Sequence, residues 1–87
     1  MILKAYDKKF NEYSDIDKFI LVPKKVWDDI AVGEQEISIN QKKVKLRVYD
    51  VPCDCAGVAM HSHRIIDLRN IWDKLGLKDS QELEITK

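Results

Sequence analysis

Cysteine, proline and glycine are scarce in this chain of 87 residues, which contains two, two and three of them. The two cysteines, Cys53 and Cys55, are too few and too close together for the disulfide framework of a small secreted protein, so reduced thiols are expected. No apolar run is long enough to cross a membrane, and charged residues interrupt the apolar start after Leu3. We therefore expect a cytoplasmic protein with no membrane partner.

An excess of charge of either sign is also missing, because 15 lysines and arginines balance 15 aspartates and glutamates. No overall field draws the chain towards polyanions, although local patches remain open. The sequence also lacks a Gly-x-Ser-x-Gly elbow, a phosphate-binding glycine loop and a His-Glu-x-x-His pair. We therefore expect that the protein is not an enzyme.

What the chain does contain is an internal repeat. Residues 3–7, Leu-Lys-Ala-Tyr-Asp, recur as residues 46–50, Leu-Arg-Val-Tyr-Asp. Further matches follow in the same order: residues 20–21 with 65–66, 26–28 with 71–73, 30–32 with 75–77, and 35–39 with 81–85. Since repeats indicate how a fold is built, we predict one domain over residues 1–87 made of a first unit, residues 1–43, and a second unit, residues 44–87.

The pattern of each unit predicts two strands, then a helix, then a third strand. Apolar residues alternate with polar ones around Leu46 and Ile37, which predicts strands with one buried face. Helical spacing around Trp27 and Trp72 predicts two short α-helices whose tryptophans pack in the core, one beginning at Pro23 and one capped by Asp67. The predicted fold is mainly β, with two short α-helices and six strands closed into a barrel. A tight reversal is predicted at Asn40-Gln41, and helix ends at Gly33 and Gly76.

This arrangement resembles the double-psi, or cradle-loop, barrels, and above all the amino-terminal barrel of the archaeal VAT and eukaryotic valosin-containing ATPases. Residues 64–69, Arg-Ile-Ile-Asp-Leu-Arg, together with residues 75–77, Leu-Gly-Leu, are similar to the "R-I-D-x-x-x-R-x-x-x-G" segment of that family. The resemblance covers nearly the whole chain and implies a double-psi-like barrel that binds a protein or peptide. The usual Gly-Asp before the last strand of each half is replaced by Glu34-Gln35 and Ser80-Gln81.

The first unit is also similar to the AbrB-type swapped-hairpin DNA binders, through residues 21–23, Leu-Val-Pro, and residues 37–39, Ile-Ser-Ile. This resemblance implies a DNA-binding transcriptional regulator. Asp28 and Asp29 stand where such proteins carry arginines on the helix.

A candidate zinc site lies in the connection between the first two strands of the second unit. Cys53 and Cys55 are two residues apart, as are His61 and His63, and two thiolates with two imidazoles suit tetrahedral zinc. Four protein ligands leave no open position for substrate, so such a zinc ion would be structural. The other interpretation is a surface connection that carries two thiols and two imidazoles without binding metal.

Basic residues near the predicted hairpin are the candidates for nucleic-acid binding. They are Lys24, Lys25, Lys42, Lys43, Lys45 and Arg47, with Arg64 and Arg69 in the second unit. Such a cluster can neutralise phosphates whatever the net charge. Acidic residues are interspersed among them, notably Glu34 and Glu36, and alternating charges are typical of a solvated face.

We therefore predict a non-enzymatic binding module that recognises a protein or peptide, present as a monomer or homodimer. Its expected contact surfaces are the two long connections, residues 8–17 and 51–63, because rigid barrels present their loops to partners. The alternative is an AbrB-like regulator that uses the basic hairpin on DNA.

Overall fold

The computed structural model describes residues 1–10, 14–53 and 61–86, which contain six β-strands. The strands are β1 (Ile2–Asp7), β2 (Lys18–Val22), β3 (Gly33–Ile39), β4 (Lys42–Cys53), β5 (His61–Asp67) and β6 (Glu82–Thr86). They close into a barrel in the order β1-β2-β5-β4-β3-β6, with every neighbouring pair antiparallel. Each of these strands therefore has two hydrogen-bonded neighbours. The predicted six-stranded barrel is confirmed.

The barrel interior is filled by aliphatic side chains at alternate strand positions. Leu3 and Leu46, the matched first residues of the repeat, are both buried. The remaining inward side chains on the strands are Ala5, Ile20, Val22, Ile37, Ile39, Val48, Ile66, Leu83 and Ile85. Since burying one such side chain contributes about 1.5–3 kcal/mol, this interior is the main source of stability.

The two units are interlocked. Exchanging β1 with β4, β2 with β5 and β3 with β6 leaves the set of paired strands unchanged. Four of the six pairs join strands of different units: β2–β5, β3–β6, β1–β6 and β3–β4. Neither unit can close a sheet without the other.

The prediction of two α-helices is wrong, and the segment after β2 shows why. Residues 23–32, the first turn segment, contain only a 3₁₀ turn, Lys24–Val26, followed by further turns. Pro23 has extended backbone angles and so precedes the turn, whereas the sequence predicts it at the first helical position. The backbone N–H groups of Val26 and Trp27 bond three residues back, to Pro23 and Lys24, as in a 3₁₀ turn.

The second predicted helix is likewise a series of turns. In residues 68–77, the second turn segment, the bond from the Leu75 N–H to the Ile71 carbonyl has helical spacing, whereas the Ile71 N–H bonds three residues back to Leu68. Gly76 has a φ of 61° and ends the segment as predicted, with the Leu77 N–H on the Trp72 carbonyl. Helical runs this short do not repay the cost of nucleation, so contacts with the barrel decide the conformation.

Arg64 holds the first turn segment against one end of the barrel. Its guanidinium forms a two-point ion pair with Asp50, its partner across β4 and β5, at 2.9 and 3.2 Å. The same group lies 4.4 Å from the centre of the Trp27 ring and donates hydrogen bonds to the Trp27 and Ile30 carbonyls. The Trp27 carbonyl also accepts a backbone bond from the Ile30 N–H at 3.3 Å, so Arg64 adds a second donor there and supplies a donor to the Ile30 carbonyl. The hydrogen bond with Asp50 raises the pKa of Arg64.

Lys18 occupies the corresponding place at the opposite end. It pairs across β1 and β2 with Asp7, and its ammonium lies 3.3 Å from the Asp7 carboxylate and 6.0 Å from the centre of the Trp72 ring. Each end of the barrel thus has an aspartate, a cation and a tryptophan, and the tryptophan comes from the other unit. Trp72 is buried and Trp27 half-buried, so both pack on the core as predicted.

The reversal between β3 and β4 lies at Asn40 and Gln41, as predicted. Their φ angles are 49° and 71°, which places both residues in the left-handed region. This conformation fits the right-handed twist of a two-residue hairpin but is costly for side chains other than glycine. The Asn40 side chain offsets part of the cost by accepting a hydrogen bond from the Glu84 N–H at 3.0 Å.

Replacing Arg64 by lysine is expected to lower the free energy of unfolding by about 1–2 kcal/mol, because one ammonium cannot bind Asp50 at two points and also reach both carbonyls. Urea denaturation measures the change. The matched control is Lys18→Arg at the other end, which adds donors and is expected to cost nothing. Equal stability of wild type and Arg64→Lys contradicts the role given to Arg64.

Gln41→Gly is expected to raise the free energy of unfolding by up to about 1 kcal/mol, since glycine adopts positive φ without steric strain. Asn40→Gly relieves the same kind of strain but removes the hydrogen bond to Glu84, so it should gain less. Thermal melting of the two variants side by side provides the comparison. A lower melting temperature for Gln41→Gly than for wild type argues against strain at this turn.

Candidate functional site

A second apolar cluster lies on the outside of the barrel. It consists of outward side chains of four neighbouring strands: Tyr6 of β1, Phe19 of β2, Ile65 and His63 of β5, and Tyr49 and Val51 of β4, with Leu21 of β2 at its margin. We call this surface the outer apolar face. Tyr6 is paired with Phe19 across the strands, and Tyr49 is paired with Ile65. Such cross-strand pairs contribute to the stability of a sheet.

The connection after β1 covers part of this face. Phe10 and Ile16 pack against it, and the Phe10 N–H bonds the Ile16 carbonyl at 3.1 Å. Phe19 is central, since its ring lies 5.5 Å from that of Tyr6 and 5.4 Å, edge to face, from that of Phe10. These are favourable geometries for aromatic pairs. The connection that sequence reasoning assigned to partner binding therefore rests on an apolar sheet surface.

One margin of the outer apolar face forms a cleft of about 210 Å³. It is lined by Tyr6, Lys8, Phe10, Phe19 and Leu21. Leu21 is 38% exposed, whereas Phe19 at the base is 3% exposed. The Lys8 ammonium lies 5.1 Å from the centre of the Tyr6 ring. The cleft thus combines an apolar floor with a cation at its rim.

The basic hairpin has a different character because its cations face acids on the neighbouring strand. Glu34 accepts from Lys45 and from Arg47, each at 3.0 Å, and these hydrogen bonds hold the pKa of Glu34 below its usual value. Lys43 lies 3.8 Å from Glu36. In the register of β3 and β4, Glu34 lies directly opposite Arg47, whereas the contacts of Lys45 with Glu34 and of Lys43 with Glu36 are diagonal.

Of the other predicted basic residues, Lys42 also lies on the hairpin and the rest lie on other elements. Lys24 and Lys25 are exposed on the 3₁₀ turn, with the Lys24 ammonium 6.0 Å from the centre of the Trp27 ring. Lys42 is exposed at the start of β4, and Arg69 is paired with Asp67 at 2.8 Å. The structure therefore joins Lys43, Lys45 and Arg47 to glutamates. The basic residues outside the hairpin occupy separate parts of the fold.

The predicted zinc ligands fall partly outside the described residues. Cys55 belongs to the segment 54–60, which lies outside them. Cys53 and His61 are partners in the register of β4 and β5, so the paired strands bring their backbones together. The His63 ring contacts Phe10 at 5.7 Å, edge to face. Within residues 1–10, 14–53 and 61–86 no group of three or more metal-ligating side chains is found, and the zinc site stays a prediction.

Sequence reasoning missed the outer apolar face, although a signal was present. Phe19-Ile20 and Ile65-Ile66 are consecutive apolar pairs, which break the alternation expected of a strand with one wet face. In the structure Ile20 pairs with Ile66 and both point inward, while Phe19 and Ile65 point outward. The sequence match of Ile20 with Ile65 is therefore displaced by one residue, because the residue equivalent to Ile20 is Ile66. Once this is corrected, Phe19 and Ile65 can be recognised as equivalent outward residues.

Comparisons with protein-family models, with curated proteins and with solved structures each gave no match. The likeness to double-psi and AbrB-type barrels therefore reaches only as far as the closed antiparallel barrel itself. Among the described residues there is also no helix with the length and apolar character needed to span a membrane.

Proposed function

We propose that this protein is a non-enzymatic binding module that recognises a protein or peptide through the outer apolar face. The observation that carries the proposal is the cleft at Leu21, where exposed apolar surface adjoins the outer apolar face and lies beside a cation. Exposed apolar surface bordered by polar groups is characteristic of interaction sites. Tyr6, Phe19 and Leu21 of this lining belong to paired strands, and Phe10 packs against them.

The pattern of charge favours a protein partner over DNA. A DNA-binding face gathers unpaired cations, and the hairpin cations Lys45 and Arg47 are instead engaged by Glu34. Contact with phosphates would require these pairs to break. Interspersed charges are suited to a partner that carries both signs. DNA binding by an AbrB-like hairpin is the less favoured alternative.

The fold is also proposed to belong with the double-psi and cradle-loop barrels. In support, the chain forms a closed six-stranded barrel whose two units exchange without changing the strand pairs. The similarity of residues 64–69 to the barrel of the valosin-containing ATPases points the same way. That resemblance implies a binding module, which agrees with the non-enzymatic role proposed here.

Selection of peptides on the purified full chain tests the function. A random peptide-display library is expected to yield specific binders, and Leu21→Glu is expected to weaken them at least about tenfold, because it places a charge on the apolar floor. Lys43→Glu on the hairpin is the control and should leave binding unchanged. Thermal melting of both variants verifies that they fold.

The same preparation distinguishes the alternative function. The AbrB-like alternative predicts a mobility shift of duplex DNA that weakens steeply as salt is raised and is lost in Lys43→Glu. This result, together with the selection of no peptide, overturns the proposed peptide-binding function. Failure of Leu21→Glu to reduce the binding of selected peptides places the contact surface elsewhere.

We also propose that a structural zinc ion is bound by Cys53, Cys55, His61 and His63. The pairing of Cys53 with His61 in β4 and β5 supports this, because it brings one thiol residue and one imidazole residue to the same place on the sheet. Thiolate and imidazole are the ligands that structural zinc sites use. Such an ion would tie together the ends of the second long connection.

Protein purified without a histidine tag is expected to contain about one zinc per chain by elemental analysis, and removal of the metal is expected to lower the melting temperature, since a ligand bound only by the folded state stabilises it. The double variant Cys53→Ser, Cys55→Ser should lose the metal. A metal-free wild-type sample with undiminished thermal stability rules the site out.

A further inference from the structure

The cleft beside Leu21 has room for one side chain. Its volume of about 210 Å³ is below the roughly 300–1,000 Å³ of pockets that hold small-molecule ligands. Phe19, Phe10 and Leu21 supply its apolar lining, and Tyr6 and Lys8 add polar atoms. A single aliphatic or aromatic side chain is the ligand group that matches this size and lining.

The cation at the rim is not engaged by any acid of the described chain. Lys8, with Lys4 and Lys9 beside it in the sequence, is exposed and forms no ion pair with a residue in the ranges 1–10, 14–53 and 61–86. Lys4 lies directly opposite Glu82 in the pairing of β1 with β6, so it does not add to this charge. On the hairpin, Lys43, Lys45 and Arg47 have their own glutamates. Among the described residues, the margin of the cleft therefore carries Lys8 as a cation without an acidic partner.

The backbone of a partner has no strand edge to join in this region. β1 and β2 each have two neighbouring strands in the closed barrel, so neither offers a continuous free edge to a partner strand. Recognition has to proceed through side chains. An apolar anchor and a nearby charge are the two contacts that the cleft and its rim offer.

A single-stranded nucleic acid would also bring negative charge, but the aromatic rings are poorly placed for it. Stacking of bases requires an open ring face. Phe19 is 3% exposed, and a face of the Tyr6 ring is occupied by the Lys8 ammonium. The most exposed apolar group of the cleft is the aliphatic Leu21, which cannot stack with a base.

We infer that the partner is an acidic peptide segment that inserts one apolar side chain between Tyr6, Phe10 and Leu21 and places an adjacent carboxylate against Lys8. This inference rests on the proposed function and specifies the chemistry of the partner. Unmatched charge at the rim of an interface guides association and selects between partners, while the buried anchor supplies most of the affinity.

Peptides selected from the random display library on the full chain provide the test. We expect them to share an aromatic or aliphatic residue with aspartate or glutamate next to it. The affinity of a synthetic peptide of the selected sequence should fall about tenfold in Lys8→Glu and less in Lys8→Gln, and should weaken as salt is raised. Lys42→Glu, which reverses an exposed hairpin charge, is the matched control and should bind as wild type does.

Two further measurements complete the design. Lys8→Glu should bind better than wild type to a peptide in which the acidic residue is replaced by lysine, an exchange that loss of structure could not produce. An oligothymidine of twelve nucleotides should not compete with the selected peptide.

The outcomes separate the two levels of the proposal. In one outcome, the selected peptides lack an acidic residue and bind Lys8→Glu as well as wild type but fail to bind Leu21→Glu. That result overturns the inference of an acidic partner and leaves the proposed binding function intact. Absence of any selected peptide overturns both. Competition by the oligothymidine would show that the cleft binds a nucleic acid and would overturn the inference of a peptide partner.

Discussion

Pairing of strands across the two units is the constraint on which this structure depends. β2 pairs with β5 and β3 pairs with β6, so the sheet closes only when both units are present. Closure removes the open edges that would invite aggregation and encloses the aliphatic interior. A chain of 87 residues buries a modest fraction of its surface when it folds. The two units therefore obtain enough buried apolar surface by sharing one interior.

The ends of the barrel follow from the same exchange. Arg64 and Lys18 each lie against the tryptophan of the other unit, so the turn segments are held by contacts between units. Arginine at one end makes a two-point ion pair and two carbonyl bonds, while lysine at the other makes a simpler contact. The arrangement of aspartate, cation and tryptophan is thus repeated at both ends, but it makes more contacts at the Arg64 end than at the Lys18 end.

The proposed function depends on the outer apolar face of the barrel. Four adjacent strands present aromatic and aliphatic side chains outward, and Phe10 and Ile16 pack on them. The cleft at the margin of this surface lies next to Lys8. The inward face of these strands forms the main core, and the outward face both packs a second apolar cluster and carries the proposed binding cleft.

The sequence by itself determined the strands, the barrel and the turns at Asn40-Gln41 and Gly76, because alternation of apolar residues and the preference for positive φ are local properties that a single chain displays directly. Only the tertiary structure decided that the Trp27 and Trp72 segments are turns, since Arg64, far away in the sequence, binds two carbonyls of the first segment and Lys18 lies against the tryptophan ring of the second. The outer apolar face and the matching of Lys45 with Glu34 also depended on which strands lie side by side, and periodicity carries no information about such neighbours.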